Sequence, residues 1–142
     1  MKIEPLAPTS VLLEDLADEA RQQGYAFMDR LLEEARSGTN RFDDPGECFC
    51  GVSVNNQLVA CGGINRDPYV RDQVGRLRHL YVLQSYRRNG IAAALVQNLL
   101  ERSKPTFKLI RLRTPNEQAG RFYDALGFQR TTHETATHVI EI

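Results

Sequence analysis

The sequence lacks the features by which secreted, membrane and disulfide-rich proteins are recognised. It has three cysteines, an odd number, which argues against a disulfide framework. No apolar run approaches the ~20 residues that a membrane-spanning helix needs. The opening residues, MKIEPLAPTS, lack the basic start and apolar stretch of a secretory signal. We therefore expect a cytoplasmic protein that makes no use of a membrane.

An excess of charge of either sign is also missing. Eighteen basic residues balance eighteen acidic ones, so the chain has no general attraction to nucleic acid or to an anionic surface. Any anion site must therefore be local. The length of 142 residues with 42% hydrophobic residues is enough for one core, and we expect a single domain over residues 1–142.

The cysteines do not form a recognisable metal motif. Cys48 and Cys50 are two positions apart, and Cys61 follows without the second C-x-x-C pair of a typical zinc site. We expect no metal, and we expect these thiols to be buried and free.

Hydrophobic periodicity predicts an α/β chain. The strand and helix at residues 76–104, followed by another strand, are expected to form a right-handed parallel crossover. Residues Thr114 to Glu117 look like a capping box with Pro115 at the first helical position. The expected elements are an extended start at Lys2–Glu4, helices ending near Gly24 and Gly38, a hairpin around Asn55 and Asn56, a strand at 76–84, a helix over Gly90–Lys104, a strand at Phe107–Arg113, a helix ending at Gly127, and strands near Phe128–Thr132 and Thr137–Ile142.

One turn carries a chemical signal of its own. In SYRRNG, residues 85–90, a strand runs almost directly into a helix, which leaves the first N–H groups of that helix unpaired at the positive end of its dipole. Gly90 and the small Ala92 let an anion approach the backbone, and Arg87 and Arg88 add positive charge, so the turn suits a phosphate. The alternative is an ordinary solvated turn. The P-loop and dinucleotide fingerprints are both missing.

Two motifs resemble those of a known family. Residues Arg87–Ala92 match the Q/R-x-x-G-x-G/A signature of the GNAT superfamily of acyl-CoA-dependent N-acetyltransferases, and they follow a strand as they do in that family. Residues Asn116–Phe128 are similar to the family's N-x-x-A-x-x-F-Y-x-x-x-G-F block. The resemblance implies a GNAT-like α/β fold, in which a mixed, partly splayed β-sheet is flanked by helices on both faces.

The resemblance also implies acetyl-CoA as cosubstrate. Its pyrophosphate is expected on the backbone amides of residues 88–92, its pantetheine arm beside the strand at residues 80–82, and its acyl group in the splay between that strand and the one at Phe107–Arg113. The residues expected to bind the coenzyme are Leu80, Tyr81, Val82, Arg87, Arg88, Asn89, Gly90, Ile91, Ala92, Asn116, Phe122 and Tyr123.

Acetyl transfer to an amine needs an unprotonated amine, donors for the oxyanion and a proton for the departing thiolate. The resemblance places Tyr123 near the coenzyme sulfur, so we expect it to be the acid; the alternative is that it only lines the pocket. The base is Glu47 or His79, the latter because histidine titrates near neutral pH. Since Arg78 and His79 alternate along a strand, at most one of them is expected to face the cleft.

The predicted activity is acetyl transfer from acetyl-CoA to a primary amine of a small molecule or peptide, by direct transfer in a ternary complex. The alternative is a non-catalytic acyl-CoA-binding sensor or regulatory module. The acceptor site is expected from residues 7–47 and 131–142, which are the variable regions that the resemblance points to. A homodimer is left open, and no nucleic acid is expected as a partner.

Overall fold

The computed structural model describes all residues from Met1 to Ile142. It has seven strands and four helices, which agrees with the predicted α/β class. In chain order they are β1 (Lys2–Pro5), α1 (Glu14–Gln22), α2 (Phe27–Ser37), β2 (Cys48–Val54), β3 (Gln57–Arg66), β4 (Val74–Val82), α3 (Ile91–Ser103), β5 (Leu109–Leu112), α4 (Glu117–Ala125), β6 (Gln129–Arg130) and β7 (His138–Glu141). None of these helices has the length and apolar character needed to cross a membrane.

The strands form one mixed sheet in the order β1-β2-β3-β4-β5-β7-β6. Every neighbouring pair is antiparallel except β4 and β5, which are parallel and are joined through α3. A parallel pair requires a long crossover, and the apolar stripe of α3 supplies one that packs back on the sheet. The predicted parallel pairing of the strands before and after α3 is therefore confirmed.

Helices cover both faces of the sheet. On one face, Leu95 and Leu99 of α3 lie over Gly62 of β3, and the Tyr123 ring of α4 lies 5.9 Å from that of His138 in β7. On the other face, the side chain of Cys61 contacts Met28 of α2 at 3.8 Å. We call these the α3/α4 face and the α1/α2 face. Strands and helices together form one core cluster of 27 buried residues.

Local sequence explains where several elements end. Gly24 and Gly38 follow α1 and α2 with φ values of +85° and +84°, in the left-handed region that glycine enters without steric cost. Asn55 and Asn56 have φ values of 52° and 66°, as a two-residue hairpin turn of type I′ requires. The predicted helix stops and the predicted hairpin are confirmed.

The predicted start of α4 is wrong by two residues. The N-cap is Asn116, whose side-chain oxygen accepts hydrogen bonds from the backbone N–H groups of Gln118 (2.8 Å) and Ala119 (3.2 Å). Thr114 instead accepts from the N–H of Asn116 at 3.3 Å. One asparagine oxygen thus satisfies two helix N–H groups, and Pro115 stays outside the helix.

A bulge interrupts β4. His79 and Leu80 together oppose the single residue Gly62 of β3, and His79 has a φ of 60°. As a result Arg78 and His79 both point to the α1/α2 face, where Arg78 contacts Glu34 of α2 at 3.4 Å and the ring of His79 lies 6.4 Å from that of Phe27. The expectation that these neighbours face opposite ways is wrong, because a bulge breaks the two-residue alternation.

Candidate functional site

The parallel strands β4 and β5 separate soon after they begin. Their pairing runs from Val74 with Leu109 to Arg76 with Arg111 and then stops. Beyond that point β5 remains paired with β7 on its other side, while β4 continues to Val82 paired only with β3. The opening between the two strands, which we call the cleft, exposes a row of unpaired β4 backbone groups that can pair with an extended ligand.

The turn at residues 85–90 closes the far end of β4. Arg88 and Gly90 have φ values of 66° and 76°, and a left-handed conformation is costly for a residue such as arginine. A Cβ built on Gly90 would meet no atom within 4 Å. The backbone here is bent into an uncommon shape under open space.

The first turn of α3 has no cap. No side chain accepts from its N-terminal N–H groups, and the first backbone bond runs from the N–H of Ala94 to the carbonyl of Gly90 at 3.1 Å. The N–H groups of Ile91, Ala92 and Ala93 therefore lie unpaired at the positive end of the helix dipole. Unpaired N–H groups with open space above Gly90 are the features that an anion site at a helix start requires.

The two arginines of this turn have different roles. Arg87 donates from Nε to the carbonyl of Val82 at 2.9 Å and from Nη2 to Gln23 at 3.1 Å, and its guanidinium lies 5.3 Å from the centre of the Tyr81 ring. These contacts fasten the turn to β4 and to the end of α1. The side chain of Arg88 makes no such contact, and the residue is exposed. Arg88 is the arginine that is free to meet an anion.

The side chains of Leu80, Tyr81 and Val82 pack away from the cleft edge. Leu80 lies toward α3, near Gly62, and Val82 is 8% exposed. The Tyr81 hydroxyl donates to Glu19 at 2.5 Å, and burial together with this carboxylate raises the pKa of Tyr81 above its ordinary value. In this part of β4 the backbone therefore faces the cleft, while the side chains of Leu80 and Tyr81 contact the helices.

Tyr123 is one of two buried residues of α4, the other being Gly120. It is 7% exposed and packs edge-on against Phe122 and Phe128, with ring centres 5.0 and 5.5 Å apart. Phe122, which was expected to bind the coenzyme, is partly buried. Burial raises the pKa of the Tyr123 hydroxyl, so it keeps its proton at neutral pH. This hydroxyl has no hydrogen-bond partner and is not sealed from solvent.

Asn116 is engaged by the cap that it forms. Its side-chain oxygen is bonded to two N–H groups of α4, so only its amide nitrogen is free. A cavity of about 370 Å³ adjoins it, lined by polar residues that include Thr114, Arg130, Thr132 and His138.

The geometry does not favour either candidate base. His79 is 8% exposed, and neither ring nitrogen has a partner. Burial, with the charges of Arg78 and Arg30 in addition, lowers the pKa of His79 from 6.5 to about 3. The expectation that His79 titrates near neutral pH is therefore wrong, because the charged imidazolium cannot be solvated there.

Glu47 lies beside the paired ends of β3 and β4, before the cleft begins. Its carboxylate accepts from the backbone N–H of Arg66 at 2.7 Å and from that of Asp44 at 3.1 Å. Arg66 pairs with Gly75, whereas the turn at residues 85–90 lies at the opposite end of β4. These contacts give Glu47 a structural role in fixing the loop before β2.

All three cysteines were expected to be buried, and two of them are. Cys50 and Cys61 are buried, and Cys48 is partly buried. Burial raises the pKa of Cys50 to about 11 and that of Cys61 to about 12. At neutral pH these thiols are protonated and poorly nucleophilic.

Sequence reasoning missed a buried group of charges at the closed end of the cleft. Arg76 and Arg111, the last β4–β5 pair, both contact the carboxylate of Asp67, at 3.4 and 3.1 Å. The alternation of arginine with apolar residues at 76–78 and 111–113 signals a charged face on each strand. Nothing in the sequence shows that Asp67 would meet both strands.

The chain is similar to proteins of one family. The sequence profile of the acetyltransferase (GNAT) family matches residues 11–128. No curated protein matches the chain. Among solved structures, a protein from Exiguobacterium sp. 255-15 that is assigned to the acetyltransferases is 30% identical, with 99% of this chain and 94% of that chain covered and a TM-score of 0.85.

More distant structures share the fold. The PaiA N-acetyltransferase of Thermoplasma acidophilum, in complex with coenzyme A, is 19% identical with a TM-score of 0.73, covering 99% of this chain and 98% of that chain. An aminoglycoside 6'-N-acetyltransferase complexed with coenzyme A is 18% identical with a TM-score of 0.69, covering 98% and 93%.

Proposed function

Because this chain belongs to the GNAT family of acetyltransferases, we propose that it transfers the acetyl group of acetyl-CoA directly to a primary amine in a ternary complex. The observation that carries the proposal is the uncapped start of α3 at the end of the β4 strand edge. A helix start with free donors and open space above it suits a diphosphate. The strand edge beside it suits the amide-containing pantetheine arm.

In this proposal the pyrophosphate binds the N–H groups of residues 91–93 and the guanidinium of Arg88. Arg87 acts indirectly, since its bonds to Val82 and Gln23 hold the turn in its bent form. Charge-assisted hydrogen bonds of this kind are stronger than neutral ones. They fix one end of the coenzyme, so the thioester is held in the cleft.

Tyr123 is proposed to protonate the thiolate. The amine nitrogen attacks the thioester carbon, and the tetrahedral intermediate expels the coenzyme sulfur with the C–S electron pair. The Tyr123 hydroxyl donates its proton to that sulfur and regains one from the solvent that it reaches. A raised pKa keeps the phenol protonated before each turnover.

The amine is proposed to react as its neutral form without an enzyme base that titrates near pH 7. His79 has a pKa of about 3, and the Glu47 carboxylate is bound to two backbone N–H groups. An alkyl ammonium with a pKa of about 10.4 then loses its proton to water before attack. The amide product releases a second proton as the nitrogen loses its positive charge.

Two measurements test the proposed function. Calorimetry should detect coenzyme A binding, and coenzyme A at about a hundredfold excess over Kd should stabilise the fold by about 2.7 kcal/mol. Release of free thiol from acetyl-CoA should follow the addition of a suitable primary amine from a panel of polyamines, amino acids, peptides and aminoglycosides. An unchanged melting midpoint together with undetectable binding would contradict the proposal.

A further inference from the structure

The closed end of the cleft carries a group of three arginines on the α1/α2 face, which we call the arginine cluster: Arg76, Arg78 and Arg111. Arg76 and Arg111 are Cα partners in adjacent strands, and their guanidinium groups meet on the same oxygen of Asp67. Arg78 is two residues further along β4 and contacts Glu34 of α2. The cluster therefore lies where β4 and β5 part, and Arg78 joins it to α2.

The cluster has more positive than negative charge. Its three guanidinium groups face two carboxylates, Asp67 and Glu34. The side chains of Arg76, Arg111 and Asp67 are 11%, 8% and 0% exposed. An unbalanced charge at this depth is unfavourable unless water or an anion compensates it.

Most of the donors in the cluster are unused. Arg76 and Arg78 each make one side-chain hydrogen bond, and Arg111 makes two, to Asp67 and to Thr135. A guanidinium group carries five N–H donors. The buried side-chain atoms that are sealed without a partner belong to Asn40, Asn65 and His79 and to none of these arginines. The guanidinium nitrogens of the cluster that have no hydrogen-bond partner are therefore not sealed from solvent.

We propose that the arginine cluster binds a carboxylate of the acceptor, so that the substrate is an amine that also carries a carboxylate, such as an amino acid or a short peptide. This inference rests on the proposed function, because it requires an acceptor amine. It adds that the acceptor lies on the α1/α2 side of the cleft. Guanidinium groups match a carboxylate in geometry as well as in charge. The same excess positive charge disfavours polycationic acceptors such as polyamines and aminoglycosides.

A purely structural role involves only part of the cluster. Asp67 accepts from the N–H of Tyr69 at 2.8 Å, and the Arg76 guanidinium lies 5.1 Å from the centre of the Tyr69 ring. Asp67, Arg76 and Arg111 thus fix the segment between β3 and β4. Arg78 contributes one 3.4 Å contact with Glu34, so the Arg78→Gln variant should fold and is the informative substitution.

The kinetic test compares each carboxylate with its α-carboxamide, and kcat/KM is calculated on the concentration of neutral amine because the carboxamide also lowers the pKa of the neighbouring amine. Alanine and glutamate are each assayed against their α-carboxamides, with spermidine and kanamycin as polycationic acceptors. We expect kcat/KM to be at least about 10-fold higher for a carboxylate than for its amide, the usual size of a charged hydrogen bond. Arg78→Gln should reduce that ratio while the Kd of coenzyme A stays unchanged. Arg36→Gln, at an exposed arginine paired with Glu33 of the same helix, should keep the ratio.

A binding test removes the dependence on turnover. With coenzyme A bound, the arginine Nε–H signals in NMR spectra are titrated with N-acetylalanine and with N-acetylalaninamide. We expect saturable shifts of the cluster signals with the acid only, and weaker binding in Arg78→Gln. Equal response to both compounds, no response to either, or faster acetylation of polycations than of every carboxylate-bearing amine would overturn the inference. Acetylation of amines without carboxylate preference would overturn this inference alone, whereas failure to bind coenzyme A would contradict the proposed function.

Discussion

The two helices that follow the parallel strands begin in opposite ways. α3 follows β4 and has no side-chain cap, so its first N–H groups are unpaired beneath open space. α4 follows β5, and the Asn116 oxygen satisfies two of its first N–H groups. Both helices start at the same end of a parallel pair, where their dipoles could attract an anion equally. Only α3 leaves its donors available.

This difference indicates a division of work between the two helices. A capped helix gains stability from its own side chain, typically about 1 kcal/mol. α3 forgoes that gain and has a left-handed arginine in the turn before it. The available group of α4 is in its second turn, where the Tyr123 hydroxyl has no hydrogen-bond partner. On this comparison we propose that α3 binds the coenzyme and that α4 takes part in the chemistry.

The largest effect is expected from Tyr123→Phe. The ring and its packing remain, so the Kd of coenzyme A should stay near the wild-type value. Loss of the hydroxyl should lower kcat by roughly 10²–10⁴, the usual contribution of a general acid. Single-turnover rates with a working amine measure the chemical step directly. Wild-type rates in the variant would mean that α4 contributes only a pocket wall.

The next effect concerns charge at the start of α3. Asparagine and aspartate both tolerate a positive φ better than other side chains, so Gly90→Asn and Gly90→Asp form a matched pair. The aspartate should repel the pyrophosphate and raise the Kd of coenzyme A by roughly 10–100-fold relative to the asparagine, the size of effect expected when a charged hydrogen bond is removed. Calorimetry gives the Kd of coenzyme A for both variants, and the difference between them separates the effect of charge from that of side-chain size. Equal Kd values would show that no anion binds at this turn.

Low pH is expected to destabilise the folded chain, and this limits the pH range in which variants of the two helices can be compared. The unfolded chain has a histidine pKa near 6.5, whereas His79 has a pKa of about 3 when folded. The unfolded state therefore binds the extra proton, and stability falls as the pH drops below about 6.5. Between about pH 7.5 and about pH 5 the loss should be about 2 kcal/mol. Urea melts of wild type, His79→Phe and the control His133→Gln should show this loss in all but the His79 variant.

The smallest effect is expected at the capped helix. Asn116→Ala should lower the free energy of unfolding by about 1 kcal/mol, and Asn116→Asp should restore most of it because aspartate also caps. If the comparison holds, neither change alters the Kd of coenzyme A by as much as the Gly90 variants do. A large loss of affinity in Asn116→Ala that Asn116→Asp does not repair would assign Asn116 to the coenzyme site.

Much of the fold was predictable because it depends on local patterns. The apolar stripe of α3, the Asn55–Asn56 turn and the glycines after α1 and α2 each act within a few residues of chain. The turn at residues 85–90 was predictable for the same reason, since an uncapped helix after a strand is visible in the sequence. Strand ends were less so: Phe107, expected in β5, is instead a core residue before it.

The parts that the sequence could not supply depend on contacts between distant segments. Burial sets the pKa of His79, and that burial comes from Phe27 and Phe42. The carboxylate of Glu47 is bound by the backbone of Arg66, 19 residues away. Arg87 has the position of a phosphate ligand in the motif, yet its guanidinium is bound to Gln23, 64 residues earlier in the chain. Motif spacing carries no information about such partners.

The bulge in β4 has a consequence in genetic terms. His79 is the extra residue opposite Gly62, since Arg78 and His79 share a face while Leu80 and Tyr81 resume the alternation. Removing His79 would leave a regular strand in which every other side chain keeps its face. Bulges bend the strand that carries them, so the shortened β4 would run straighter beside the cleft. A deletion of one codon is therefore the smallest genetic change that tests whether the bend of β4 sets the width of the cleft, in a chain that keeps its core and its order of strands.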